Sequence, residues 1–208
     1  SPINAKVTYR IDCQHTLGFW DPDVLKPDHD AICLWAYENA DMVFKMVCPE
    51  LFDYPWQDSE VRYGREYGDQ SAIDLARAFR DANPRPNPRV YSKTFEFVLT
   101  SFTGYEDKLE RNVGFADLLF QTELPFVGPR YKAATTRGED DEFDGFELGW
   151  SRGPRILVEA KTAIPSLGEL LRQINLYRTA FNGKFVVSPE DRFSTILVEQ
   201  GVTFIKYV

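Results

Sequence analysis

Residues 156–161, Ile156-Leu157-Val158-Glu159-Ala160-Lys161, form an apolar run that ends in two opposite charges. An Ile-Leu-Val run reads as a strand buried inside a sheet. A carboxylate and an ammonium at its end need a reason to be there, because burying a charge is costly unless it is paired or put to use. Side chains on a strand alternate faces, so Glu159 and Lys161 share one face while Ile156, Val158 and Ala160 take the other. Upstream, Phe143-Asp144-Gly145-Phe146-Glu147-Leu148 reads as a second strand, with Trp150-Ser151-Arg152-Gly153-Pro154 as the turn between them. A hairpin folded about residues 151–153 pairs positions whose numbers sum to roughly 304, and an odd-sum register puts Asp144 on the face of Glu159 and Lys161. Two carboxylates and a lysine then converge at one strand end, which describes a hard-cation site with a positive charge beside it.

The chain after this stretch has clear punctuation. Ser166 and Glu169 form a capping box. The helix that follows places Leu170, Gln173, Ile174, Tyr177 and Phe181 on one face, and Asn182-Gly183 ends it. Residues 184–187 make a short strand. Ser188-Pro189 opens a second helix with Phe193, Ile196 and Leu197 inward, Gly201 closes it, and residues 202–207 form the last strand. The order β-β-α-β-α-β predicts an α/β or α+β fold with a central mixed sheet flanked by helices.

The first part of the chain reads differently. A strand is expected over residues 5–13 and a helix from Asp30, its N-cap, to Pro49. Residues 49–70 are irregular and aromatic, and a helix runs from Ser71 to Ala82. Asn83-Pro84-Arg85-Pro86-Asn87-Pro88 suits neither a helix nor a central strand and marks the best boundary. It divides a mainly helical, aromatic-rich region, 1–83, from a second domain, 84–208. Residues 90–103 fit helix or strand. Residues 106–121 read as helix, with Leu109, Val113, Ala116 and Phe120 at helical spacing. Glu123 then lies just beyond that helix, before Pro125, where it could serve as a third metal ligand. A strand follows within 126–138, and Glu139-Asp140-Asp141-Glu142 reads as a solvated loop.

Charge and composition exclude several classes. The formal net charge of −8 gives the molecule no overall electrostatic footprint for nucleic acid. Locally the balance reverses: between Trp150 and Val187 the six basic residues Arg152, Arg155, Lys161, Arg172, Arg178 and Lys184 face only Glu159 and Glu169, the patch a phosphate backbone needs. No apolar window of ~18 residues predicts a membrane span, and Ser1-Pro2-Ile3-Asn4 does not open a Sec-type signal. Cys13, Cys33 and Cys48 are an odd number without metal-ligand spacing. Grouping Cys13 and His15 with His29 and Cys33 as a zinc site fits no standard pattern.

An Asp, then Glu-x-Lys, then a helix carrying Gln-x3-Tyr resembles the PD-(D/E)xK nuclease superfamily, the restriction-endonuclease-like fold. The pieces are Asp144, Glu159-Ala160-Lys161, and Gln173 with Tyr177; the Gln-x3-Tyr element is similar to one in the exonuclease branch. Phe143-Asp144-Gly145-Phe146 with Leu157-Val158-Glu159-Ala160-Lys161 looks most like the restriction-endonuclease-fold toxin domains that bacteria deliver through secretion systems. Phe120-Gln121-Thr122-Glu123-Leu124 sits where those domains carry a helix with a Gln. The resemblance covers roughly residues 105–208, and no Pro precedes Asp144. It implies Mg²⁺- or Mn²⁺-dependent DNA cleavage, with Asp144 and Glu159 as ligands and Lys161 as catalytic base or charge stabiliser. Gln173 and Tyr177 would position a phosphate or a ligand water. It also implies action in the cytoplasm, either of the producing cell or of one into which the chain is delivered. An acidic remainder suits a chain held by an immunity protein or chaperone. Repair, restriction or phage-type nucleases, an RNase, and a silent nuclease-fold assembly module are the alternatives; decayed sites usually lose the Asp, Glu or Lys, and all three are present.

Overall fold

The computed structural model describes residues 27–103, 109–133, 141–178 and 184–208. The strand expected at 5–13, Cys13, His15 and the Asn182-Gly183 helix stop lie outside them. Five helices are described: α1 (Pro27–Glu38), α2 (Ala40–Val47), α3 (Gln70–Ala82), α4 (Leu167–Arg178) and α5 (Ser194–Glu199). Three short 3₁₀ turns lie between α2 and α3. The strands are β1 (Arg89–Thr103), β2 (Leu109–Lys132), β3 (Glu142–Ala160), β4 (Lys184–Ser188) and β5 (Thr203–Lys206), hydrogen-bonded in the order β1-β2-β3-β4-β5.

The sheet is mixed, as the element order predicts. Tyr91 bonds Gln121, and Arg89 bonds Glu123, so β1 and β2 run in opposite directions. Ser151 reaches the Leu124 carbonyl and Arg130 reaches the Asp144 carbonyl; as numbers rise on β2 they fall on β3, which is again antiparallel. β3 pairs in parallel with β4, Glu159 opposite Val186, and β4 pairs in parallel with β5, Val187 opposite Ile205. Parallel neighbours require crossovers, and α4 and α5 supply them.

Two expectations fail here. Residues 109–121 are strand, not helix. Residues 114–120 are all buried, and a run buried on both faces of a sheet carries apolar side chains at every position, so it matches a helical template by accident. The turn at Trp150–Pro154 does not form either, because β3 runs unbroken from Glu142 to Ala160. The glycines there serve close approach between strands: a Cβ on Gly153 would meet Thr122 Oγ1 at 2.5 Å, and one on Gly149 would meet the Phe126 ring at 2.4 Å.

By compactness the chain forms two units, each assembled from separate stretches. One comprises 1–47, 90–121 and 154–208; the other comprises 48–89 and 122–153. In the first, α1 packs on β4 and α2 on β5. Trp35 of α1 meets Tyr207 edge-on at 5.6 Å, and Tyr37 stacks on Phe95 at 4.7 Å. Asn39 separates the two helices; its side-chain amide bonds the Trp35 carbonyl at 2.9 Å, a local bond that competes with helix continuation. Ile164, Leu170, Ile174, Val186, Leu197 and Val202 form one core under α4 and α5. Ser166 caps α4 as expected, accepting from the Glu169 amide at 3.3 Å. Ser188 ends β4 instead of opening α5, which begins at Ser194.

In the second unit α3 starts from its N-cap Asp69, which accepts from the Ser71 amide at 2.9 Å. Val61, Ala76, Val127 and Phe146 make its core, with Trp56, Tyr63, Phe79 and Phe143 packed around them. The aromatic residues of the irregular 49–70 segment thus include core members. The proline stretch is tied down: Arg85 bonds Glu60 at 2.6 Å and the Leu51 carbonyl at 3.0 Å, and the Trp56 indole bonds the Asn83 carbonyl at 2.8 Å. Among the described residues no helix is long and apolar enough to cross a membrane.

Candidate active site

The first unit places charge in its interior. Asp117, Glu159 and Lys161 are 2 %, 4 % and 7 % exposed, and Gln173 is 8 % exposed. Residues 156–161 are all buried, so Glu159 and Lys161 sit at the end of a strand covered on both faces. As alternation requires, both point to one side: Lys161 Nζ donates to Glu159 Oε1 at 2.7 Å. The backbone of Lys161 is held by β4, its amide bonding the Val187 carbonyl at 2.9 Å.

Helix α4 completes the set. Gln173 and Tyr177 lie one turn apart on its inner face. Gln173 Nε2 donates to Glu159 Oε1 at 2.9 Å and to the Tyr177 hydroxyl at 2.7 Å, and that hydroxyl donates to the Phe115 carbonyl at 2.5 Å. A continuous chain of hydrogen bonds therefore runs from β2 through α4 to the carboxylate on β3. Gly114 makes room for it: a Cβ there would stand 2.3 Å from the Tyr177 ring.

Asp117 meets the backbone of the 159–161 run from β2. Its Oδ2 accepts from the Ala160 amide at 2.7 Å, within the Glu159-Ala160-Lys161 run. Its Oδ1 lies 3.4 Å from Nε2 of His29 on α1. Sequence reasoning missed Asp117 because the segment read as a helix, whose apolar spacing left Asp117 off the inner face. The usable signal was a carboxylate in the middle of an otherwise apolar run, Val113 to Phe120.

The other expected ligands are placed differently. Asp144 belongs to the second unit and is held by β2, with Lys132 Nζ at 2.9 Å from Oδ1 and Arg130 Nη2 at 3.1 Å from Oδ2. The hydrogen bond from Lys132, with the charges of Lys132 and Arg130, holds its pKa below the usual carboxylate value. The hairpin that was to bring Asp144 to Glu159 is absent, so the basis for that pairing is gone. Glu123 is not at a helix end; it lies within β2 in the second unit and pairs with Arg89 at 3.0 Å. Arg89 also stacks over Trp150 at 4.0 Å.

Glu159 faces the Lys161 ammonium at 2.7 Å, while Asp117 meets the backbone of the same run and lies 3.4 Å from His29. Buried carboxylates of this kind are stabilised by a nearby cation. The donors are carboxylate oxygens, and those suit Mg²⁺ or Mn²⁺, so the residues present fit such an ion. Protein-family models, curated proteins and solved structures yield no match to this chain.

Proposed function

We propose that the chain is a divalent-metal-dependent hydrolase of DNA phosphodiester bonds, with its site at Asp117, Glu159 and Lys161 in place of the Asp144-centred set. The observation that carries this reading is the convergence of Asp117 from β2 on the Glu159-Ala160-Lys161 segment of β3, through the 2.7 Å bond to the Ala160 amide. In this reading a carboxylate on the neighbouring strand would take the role that the resemblance gave to Asp144. The restriction-endonuclease-like core stays part of the proposal, supported by the mixed sheet and by the Gln-x3-Tyr helix on Glu159.

Asp117 and Glu159 would hold Mg²⁺ or Mn²⁺. When bound, such an ion polarises phosphoryl oxygens and lowers the pKa of water. The chain's own residues do the rest. Lys161 and Gln173 both donate to one oxygen of Glu159, which fixes that carboxylate before substrate arrives and removes reorganisation from the reaction. The Lys161 ammonium would stabilise negative charge that grows on the phosphate, or orient the attacking water. Tyr177 sets the rotamer of Gln173. Arg155, Arg172 and Arg178 of the same unit supply positive charge for the phosphate backbone. Delivery as an antibacterial toxin, with an immunity protein or chaperone as partner, is proposed on the resemblance alone.

Supercoiled plasmid incubated with the protein tests the reading, with Mg²⁺, Mn²⁺ and EDTA arms and a structured RNA run in parallel. Nicking of the plasmid in the metal arms and none in EDTA is expected. Full activity in EDTA would remove the metal mechanism, cleavage of the RNA alone would make the enzyme an RNase, and inertness towards both would favour the silent binding module.

A further inference from the structure

His29, Cys33 and Asp117 bring an imidazole, a thiol and a carboxylate to one buried point, where one ligand atom from each lies within 4.8 Å of the others. They are 3 %, 7 % and 2 % exposed. His29 and Cys33 are four apart on α1, so they lie on the same helix face, and Asp117 meets them from β2. We propose that His29 Nε2, Cys33 Sγ and Asp117 Oδ1 form a three-ligand site for a borderline-soft divalent cation of the Zn²⁺ class, distinct in chemistry from the all-oxygen pair at Asp117 and Glu159.

The distances carry the assignment. In a tetrahedral Zn²⁺ site, bonds of ~2.3 Å to sulfur and ~2.0–2.1 Å to nitrogen and oxygen put sulfur and nitrogen about 3.6 Å apart, and nitrogen and oxygen about 3.3 Å apart. His29 Nε2 stands 3.4 Å from Asp117 Oδ1 and 4.0 Å from Cys33 Sγ. The nitrogen–oxygen and nitrogen–sulfur pairs are within a few tenths of an ångström of those values, and all three ligand atoms lie within 4.8 Å of one another. Three protein ligands leave a fourth position open, as in non-structural zinc sites. Asp30 Oδ1 lies 3.7 Å from His29 Nδ1, beyond hydrogen-bond reach, and Cys33 Sγ lies 3.8 Å from the same nitrogen. The other oxygen of Asp117 is anchored by the Ala160 amide at 2.7 Å, which aims Oδ1 at the histidine. A thiolate selects against Mg²⁺, so the cysteine gives the site its preference. None of this depends on the hydrolytic reading; a chain that cleaves nothing could still bind Zn²⁺ here.

Co²⁺, which reports its ligands in its absorption spectrum, is the probe. Titrated into the metal-free full chain, it should give a near-ultraviolet thiolate-to-cobalt charge-transfer band and the visible bands of a tetrahedral ion, both bleached by Zn²⁺. The double variant Cys13→Ser/Cys48→Ser keeps Cys33 as the sole thiol and should retain the charge-transfer band. Cys33→Ser should lose it. His29→Ala should weaken Co²⁺ binding by more than ~10-fold, the least expected when a ligand rather than an outer partner is lost. Absence of the band in the native protein, its loss from the double variant, or its survival in Cys33→Ser would each overturn the site; the double variant keeps the test open should Cys33→Ser fail to fold.

Discussion

The ammonium of Lys161 is buried against Glu159 at 2.7 Å, so removing it leaves a buried carboxylate without its cation, and under the proposed function it also withdraws charge from the reaction. Lys161→Ala should abolish metal-dependent cleavage, by ~10²–10³ in rate or more. It should also cost about 3–5 kcal/mol of stability, the usual effect of breaking a buried pair. Adding Glu159→Gln to Lys161→Ala should restore much of the melting temperature without restoring activity. Recovery of cleavage in that double variant would remove Lys161 from the mechanism. Asp117→Asn keeps the shape of the side chain and should abolish activity with a smaller loss of stability. Gly114 is a purely steric matter: a methyl group there runs into the Tyr177 ring, so Gly114→Ala should lower stability by about 1–3 kcal/mol, the range for overpacking. An unchanged melt would mean that the ring can move aside.

The long strands decide what an element-level reading could reach. α4 was legible because its start has a cap and its inner face has helical period, and the same logic found Gln173 and Tyr177. Glu159 and Lys161 were legible because strand alternation is local. Asp117 was not, since a doubly buried strand has no period to distinguish it from a helix, and Asp144 was overvalued because glycines at 149 and 153 imitate a turn when their task is close packing against Phe126, Thr122 and Leu124. Asp144 instead belongs to the β2–β3 ladder. Its carboxyl is held below the usual carboxylate range by Lys132 and Arg130, so the folded state binds fewer protons than the unfolded one in that range. The stability it contributes is present above about pH 4 and is lost as pH falls through the lowered value. Acid melts of Asp144→Asn should therefore be flatter than those of the native chain between neutral pH and pH 3, with the difference shrinking in high salt because the pair is solvent-facing. A difference that grows on acidification would reverse the assignment.

Net charge makes the whole molecule an unlikely partner for DNA on electrostatics alone, so the proposed activity has to be local, and the two units give a way to test where. Asp117, Glu159 and Lys161 all belong to the unit formed by 1–47, 90–121 and 154–208, as does Trp35, whereas Trp56 and Trp150 belong to the other. A chain of 208 residues need not unfold in one step. A ligand that binds only the folded form raises stability by about 2.7 kcal/mol at a hundred times its dissociation constant, and it does so for the part of the fold that supplies the ligands. Saturating Mn²⁺ should therefore raise the melting temperature reported by Trp35 fluorescence, in a variant with the other tryptophans replaced by Phe, and should do so less or not at all for variants that retain Trp56 or Trp150. Asp117→Asn and Glu159→Gln should each erase the Trp35 shift, the second separating this site from the one that shares Asp117 with His29 and Cys33, while Asp144→Asn should leave it intact. A shift confined to the Trp56 and Trp150 reporters, or one removed by Asp144→Asn and kept by Asp117→Asn, would return the metal to the other unit and sink the site as assigned.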